Sequence, residues 1–124
     1  MSGRKSRQAA FRRGRRGEKF AALTLRMKGY QVLAHDFRVP VGEIDLIVQR
    51  GSLVAFVEVK ARANLQLCLE AITKHQRHRI ERAASAYLNA NPDIEADKFR
   101  FDLIAVVPRR WPKHIMAAWQ TDSP

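Results

Sequence analysis

Residues 43–50 read EIDLIVQR and residues 53–60 read LVAFVEVK, with only Gly51 and Ser52 between them. Glycine followed by serine between two β-type runs signals a two-residue hairpin. With Gly51 and Ser52 as the turn, Arg50 faces Leu53, Asp45 falls opposite Glu58, and Glu43 falls opposite Lys60. Strand side chains alternate, so these four charged residues are expected on one face. The other face carries Ile44, Leu46, Val48, Ala55, Val57 and Val59, an apolar set fit for a core. Ile47, Val54 and Phe56 occupy the turn-proximal end of the charged face. The charges therefore gather at one end of an otherwise apolar surface.

Working outward, residues 18–28 predict an amphipathic helix, with Phe20, Leu23, Thr24 and Met27 at i, i+3, i+4 and i+7. Gly29 stands where a helix-stopping glycine belongs. Residues 30–38 read as a strand, after which Pro40 and Gly42 punctuate the chain. Helical character returns over 70–89, with Ile72, Ile80, Ala83, Ala84 and Tyr87 as the apolar stripe and Asn91-Pro92 as its end. Strands are predicted at 99–107 and 113–119. The order is helix, three strands, helix, two strands. Long runs rich in Val, Ile and Leu imply a sheet covered on both faces, hence an α/β or α+β sandwich.

The paired acids are costly as they stand. Two carboxylates about 4 Å apart repel by roughly 4 kcal/mol at an effective dielectric of 20. A shared proton, a nearby base or a cation must offset that repulsion. Mg²⁺ is well matched, because it takes oxygen ligands and is held by one or two carboxylates. Lys60 would then stand beside the metal as a point charge near a bound phosphate, the layout of metal-assisted phosphodiester hydrolysis. The competing explanation is a surface ion-pair ladder in which Lys60 neutralises Glu43 and Asp45 or Glu58 tips into solvent.

The chain has 124 residues, 23 Lys+Arg against 12 Asp+Glu, and a formal net charge of +11. That length fits one domain. The single cysteine, Cys68, excludes an intramolecular disulfide and a multi-cysteine zinc cage and suits a reducing cytoplasm. No apolar run approaches the ~20 residues that span a bilayer. Residues 1–16 hold Arg4, Lys5, Arg7, Arg12, Arg13, Arg15 and Arg16 and no acid, so most of the excess charge sits on a leading segment. Residues 1–13 read as a disordered basic arm, 14–120 as one folded domain, and 121–124 as a tail. Such an excess points to a polyanionic partner, most often nucleic acid; a solubilising tail or an organelle transit peptide are the alternatives. Arg62, Lys74 and Arg77, with Arg79 and Arg82, are further candidate phosphate contacts, against a merely solvated helix face. His75 and His78 lack acids to complete a metal set. Trp111 between basic and proline residues could stack on a base or pack in its turn, and Asp102, flanked by apolar residues, reads as a buried, hydrogen-bonded acid.

Gly42-Glu43-Ile44-Asp45-Leu46-Ile47 followed by Phe56-Val57-Glu58-Val59-Lys60 resembles the PD-(D/E)XK nuclease superfamily, with its restriction-endonuclease-like fold. More closely, the chain resembles the YraN-type family of small bacterial endonuclease-like proteins, distantly similar to archaeal Holliday-junction resolvases. Gly14 to Glu18, Lys28-Gly29-Tyr30, Lys74 to Arg77, Ala83 to Leu88 and Arg100-Phe101-Asp102 extend the likeness over about residues 14–119. The resemblance implies Asp45 and Glu58 as ligands of Mg²⁺ or Mn²⁺, with the Val59 carbonyl as a third donor. It gives Lys60 the attacking water and the developing phosphorane charge, and makes Glu18 an extra acid, ligating directly or through water. An acid in a first helical turn is also favourable on its own account. The implied partner is DNA, branched or flapped, and the implied assembly a homodimer. A catalytically silent nucleic-acid-binding module and a small RNA- or ribosome-associated protein are the rival readings. One stretch departs from the family pattern: Ala63 to Leu69 lacks the glycine and proline expected of the loop bordering the site.

Overall fold

A computed structural model describes residues 17–121. Residues 17–27 are helical (α1), followed by β1 (Gln31–Val39), β2 (Gly42–Arg50), β3 (Leu53–Ala61), α2 (Leu65–Glu70), α3 (Lys74–Ala90), β4 (Lys98–Val106) and β5 (Lys113–Trp119). The five strands form one sheet in the order β1-β2-β3-β4-β5. Only β3 and β4 run parallel, and α2 and α3 make the crossover between them; the other neighbours are antiparallel. This mixed sheet between helices is the restriction-endonuclease-like arrangement expected from the sequence.

The hairpin register is as predicted from Arg50–Leu53 through Leu46–Val57. Gly51 has φ +60° and opens the turn, as the first central residue of a type II′ hairpin turn requires. The ladder stops at Leu46–Val57, so the expected backbone pairs of Asp45 with Glu58 and of Glu43 with Lys60 do not form. Here β2 turns away from β3. Its first residue, Gly42, pairs with Val39 across the Pro40–Val41 turn and lies hard against α3. A β-carbon on Gly42 would meet the Arg79 carbonyl oxygen at 1.9 Å, so only glycine lets the strand approach there. The same bend carries Ile44 into the α3-side core with Ile47, Phe56, Ile80 and Leu103, away from the face shared by Leu46 and Val48.

Both faces of the sheet are covered. On the α3 side the predicted stripe of Ile72, Ile80, Ala83, Ala84 and Tyr87 is buried. On the α1 side the expected stripe is corrected: Phe20, Leu23 and Met27 are 50%, 45% and 69% exposed, while Ala21, Ala22, Thr24 and Leu25 are buried. Small residues win the sheet face because they let the helix come close. Gly17 sits against the side chains of Val59, Ala61 and Val106. Residues 63–69, read as a loop, form most of α2 instead. Asn64 caps it by accepting from the Leu67 amide, and Cys68 anchors it in the core. The helix predicted over 70–89 is α3, which starts at Lys74 rather than at 70: Glu70 ends α2, and Thr73 starts α3 by accepting from the Gln76 amide.

Candidate active site

The parting of β2 from β3 makes the site. Val59 has no ladder partner on β2, and its amide donates instead to Asp45 Oδ2 at 2.8 Å. A strand residue directs amide and carbonyl to the same side, so the Val59 carbonyl faces this gap too. The Asp45 and Glu58 side chains lie close enough across it for each to shift the other's titration. Lys60 Nζ lies 3.5 Å from Glu58 Oε1, with the two side chains only 11% and 12% exposed. These are charges largely withdrawn from water, where repulsion is weakly screened.

Their titration reflects that setting. Burial, then the charge and hydrogen bond of Asp45, pushes the Glu58 carboxyl up to about 9, against the opposing pull of Lys60. Burial also raises Asp45, with the Val59 amide, Glu58 and Lys60 holding it back. Without a cation, the two carboxyl groups therefore hold protons more tightly than free carboxylates do. Lys60 is held from the other side by α3. The Gln76 amide satisfies its surroundings when Oε1 accepts from Lys60 Nζ at 3.2 Å and Nε2 donates to the Ala71 carbonyl at 3.0 Å. The Lys60 carbonyl in turn accepts from Cys68 Sγ at 3.4 Å.

Glu43 does not pair with Lys60. It is taken by Arg79 of α3, which donates to Oε2 from Nε at 3.1 Å and from Nη2 at 2.8 Å. Glu18 is partly buried on α1, is engaged by neighbours, and lines a cavity of about 490 Å³ with Arg26, His35, Asp36 and Arg38. Asp45 and Glu58 are not among the residues of that cavity, but Asp36 acts on both places, since its charge adds to the upward push on Asp45. Arg62, Lys74 and Arg77 are exposed at the end of β3 and the start of α3, on the Lys60 side of the sheet. Arg4, Lys5, Arg7, Arg12, Arg13, Arg15 and Arg16 lie outside the described residues.

Oxygen donors set close together, carrying more negative charge than their burial favours, suit a hard divalent cation. Among the described residues no three His, Cys, Asp or Glu side chains converge on one point. The donor set is two carboxylates and a carbonyl, which matches the way Mg²⁺ is held with several waters retained. Residues 17–106 match the sequence profile of the uncharacterised protein family UPF0102. The chain belongs to that family. It is 54% identical over 112 residues to a UPF0102 protein of Chelativorans sp. strain BNC1, covering 90% of each chain. A UPF0102 protein of Paramagnetospirillum magneticum is 48% identical over 122 residues, 95% of each, and one of Mesorhizobium japonicum 51% identical over 114 residues, 92% and 91%.

Two UPF0102 residues at this site escaped the sequence reading. Asp36 stands opposite Asp45, between the His35–Leu46 and Phe37–Ile44 pairs. The signal was available: treating Pro40-Val41 as a two-residue turn gives that register directly. Gln76 left no such signal. Its approach to Lys60 depends on where α3 starts, and the helix break at Thr73 was not read.

Proposed function

We propose that this UPF0102 protein is a metal-dependent endonuclease-like hydrolase that cleaves phosphodiester bonds in DNA, with branched or flapped DNA as its substrate class. The observation that carries the reading is the shielded cluster in which Asp45 Oδ2 accepts from the Val59 amide at 2.8 Å, next to Glu58, and the Lys60 ammonium lies 3.5 Å from Glu58. Asp45, Glu58 and the Val59 carbonyl would hold Mg²⁺ or Mn²⁺, which when bound supplies Lewis-acid polarisation of a phosphoryl oxygen. Lys60, kept in place by Gln76, would orient the attacking water and balance the negative charge that grows on the phosphorus-bound oxygens. Water adds to phosphorus and gives up a proton to the solvent, the bond to the leaving sugar oxygen breaks, and that oxygen takes up a proton from the solvent in return. Exposed Arg62, Lys74 and Arg77 would carry the backbone of the substrate.

The test is cleavage of labelled flaps and four-way junctions with Mg²⁺ or Mn²⁺ against chelator. Wild type is expected to cut only with metal, and Asp45→Asn, Glu58→Gln and Lys60→Ala to lose cleavage by at least about 100-fold while still binding DNA. No cleavage across the panel, together with no metal-induced rise in melting temperature, would overturn the proposal. A second reading, a catalytically silent nucleic-acid-binding module, is favoured by one observation: Asp45 already engages the Val59 amide and Glu58, so the acids have partners without a cation. The melting experiment separates the two.

A further inference from the structure

A groove of about 490 Å³ runs between α3 and β4, on the same face of the sheet as Lys60. It exists because α3 lies over β1 and β2 and leaves the β4 side of that face open. Its floor is aromatic. Phe99 and Phe101, two apart on β4, pair with Val54 and Phe56 in the parallel ladder and so share the α3-facing side. Phe101 is held between Phe56 and Trp119, with ring centroids 5.5 Å apart in each case and only 21° between the planes of Phe101 and Trp119. Phe99 extends this fixed floor and is 49% exposed. The groove's other wall is one stripe of α3, where His78, Arg82 and Ser85 face Phe99, with a single acid, Glu81, among them.

The stripe extends to the first turn of α3. Lys74, His78 and Arg82 are four residues apart on one helical face. From Lys74 to Arg82 is about 12 Å at 1.5 Å per residue, and Lys74 begins the turn whose Gln76 touches Lys60. A ring face beside a helical stripe of cations matches a ligand that alternates flat bases with phosphates. Duplex DNA keeps its base faces stacked inside, whereas an unpaired strand offers them.

We infer that the α3–β4 groove is a stacking site for an unpaired nucleobase, with Phe99 as the platform and Arg82 as the phosphate contact. This rests on the nucleic-acid reading above and narrows it to substrates with a single-stranded element. The test is equilibrium binding, in chelator, of an eight-nucleotide thymidine strand and of an abasic strand of the same length and charge. Wild type is expected to bind the thymidine strand roughly 5- to 150-fold more tightly, the range for one stacked base. Phe99→Ala should bring it down to the abasic level with abasic binding unchanged, and Arg82→Gln should weaken both strands alike. Phe99 is half exposed, so its replacement leaves the folded chain available for the comparison, and Phe99→Tyr should restore the preference.

Equal binding of the two strands by wild type, or a preference that survives Phe99→Ala, would overturn the inference. So would a Phe99-dependent dimer seen by sedimentation in place of strand binding, which would make the groove a contact between copies. Because no metal is present, a protein that prefers the thymidine strand yet cuts nothing would retain this site and lose the hydrolytic proposal. One that cuts but shows no preference would do the reverse.

Discussion

Asp45 performs two tasks that one substitution pair can separate. Its Oδ2 completes the ladder that β2 abandons, by accepting from the Val59 amide, and its charge pushes the titration of Glu58 upward inside a shielded gap. Asparagine keeps a carbonyl oxygen for the amide and removes the charge; alanine removes both. In chelator, Asp45→Asn is therefore expected to match or exceed wild-type stability, and Asp45→Ala to fall below Asp45→Asn by about 1–3 kcal/mol, the cost of an unmet buried donor. Urea denaturation of the three proteins measures this, and equal stability of the asparagine and alanine variants would contradict the bonding role. Added Mg²⁺ should raise the midpoint of wild type and leave both variants unmoved.

Two glycines show how much of the element-level structure could be read from sequence. Gly51 was legible because a turn is a local event: φ +60° follows from the two-residue connection alone, and with it the register that brings Asp45 toward Glu58. Gly42 was legible only as punctuation. Its need for glycine comes from Arg79, distant in sequence, whose carbonyl occupies the place a β-carbon would take. The departure of β2 from β3 belongs with it, since no local pattern announces that a strand will change neighbours. The α1 stripe failed for a related reason. Two faces of that helix have helical spacing, and closeness of approach chose Ala21, Ala22 and Leu25 over the larger Phe20, Leu23 and Met27. These origins predict different costs. Gly51→Ala faces open space and should lose about 1 kcal/mol from backbone strain alone. Gly42→Ala must displace α3 and should lose about 3 kcal/mol. Chemical denaturation of both variants checks the order, and Gly51→Ala as the costlier change would refute it.

Across the whole molecule, the far end of the sheet is tied together by one buried acid. Asp102 on β4 is fully buried and receives Arg100 Nε and Nη2 at 2.7 Å each, His114 Nε2 at 2.7 Å and the Ala117 amide at 3.0 Å. Lys28 Nζ donates to His114 Nδ1 at 3.0 Å, so the ring proton sits on Nε2 and points at Asp102. Arg100 also reaches the Tyr30 hydroxyl at 2.8 Å, and Arg50 stacks over the Tyr30 ring at 4.5 Å. The network joins the turn between α1 and β1 to β2, β4 and β5. It also serves the irregular part of β5, where Ala117 adopts φ 52° and its amide needs an acceptor. Burial by itself would raise Asp102, but the bonds from His114, Arg100 and the Ala117 amide outweigh it and hold the carboxyl below its ordinary range. A depressed native value means that the unfolded chain binds the proton more readily. The stabilisation is therefore complete above the unfolded aspartate value of about 3.9 and drains away as the pH falls through the native one. Asp102→Asn leaves Arg100 without its counter-charge and is expected to cost about 3 kcal/mol or more near neutral pH. Denaturation midpoints of wild type and Asp102→Asn, followed downward in pH, should stay a constant distance apart until about 3.9 and then converge. A gap that widens in acid would mean that Asp102 is protonated in the folded protein and that the arginine and histidine bonds do not set its charge.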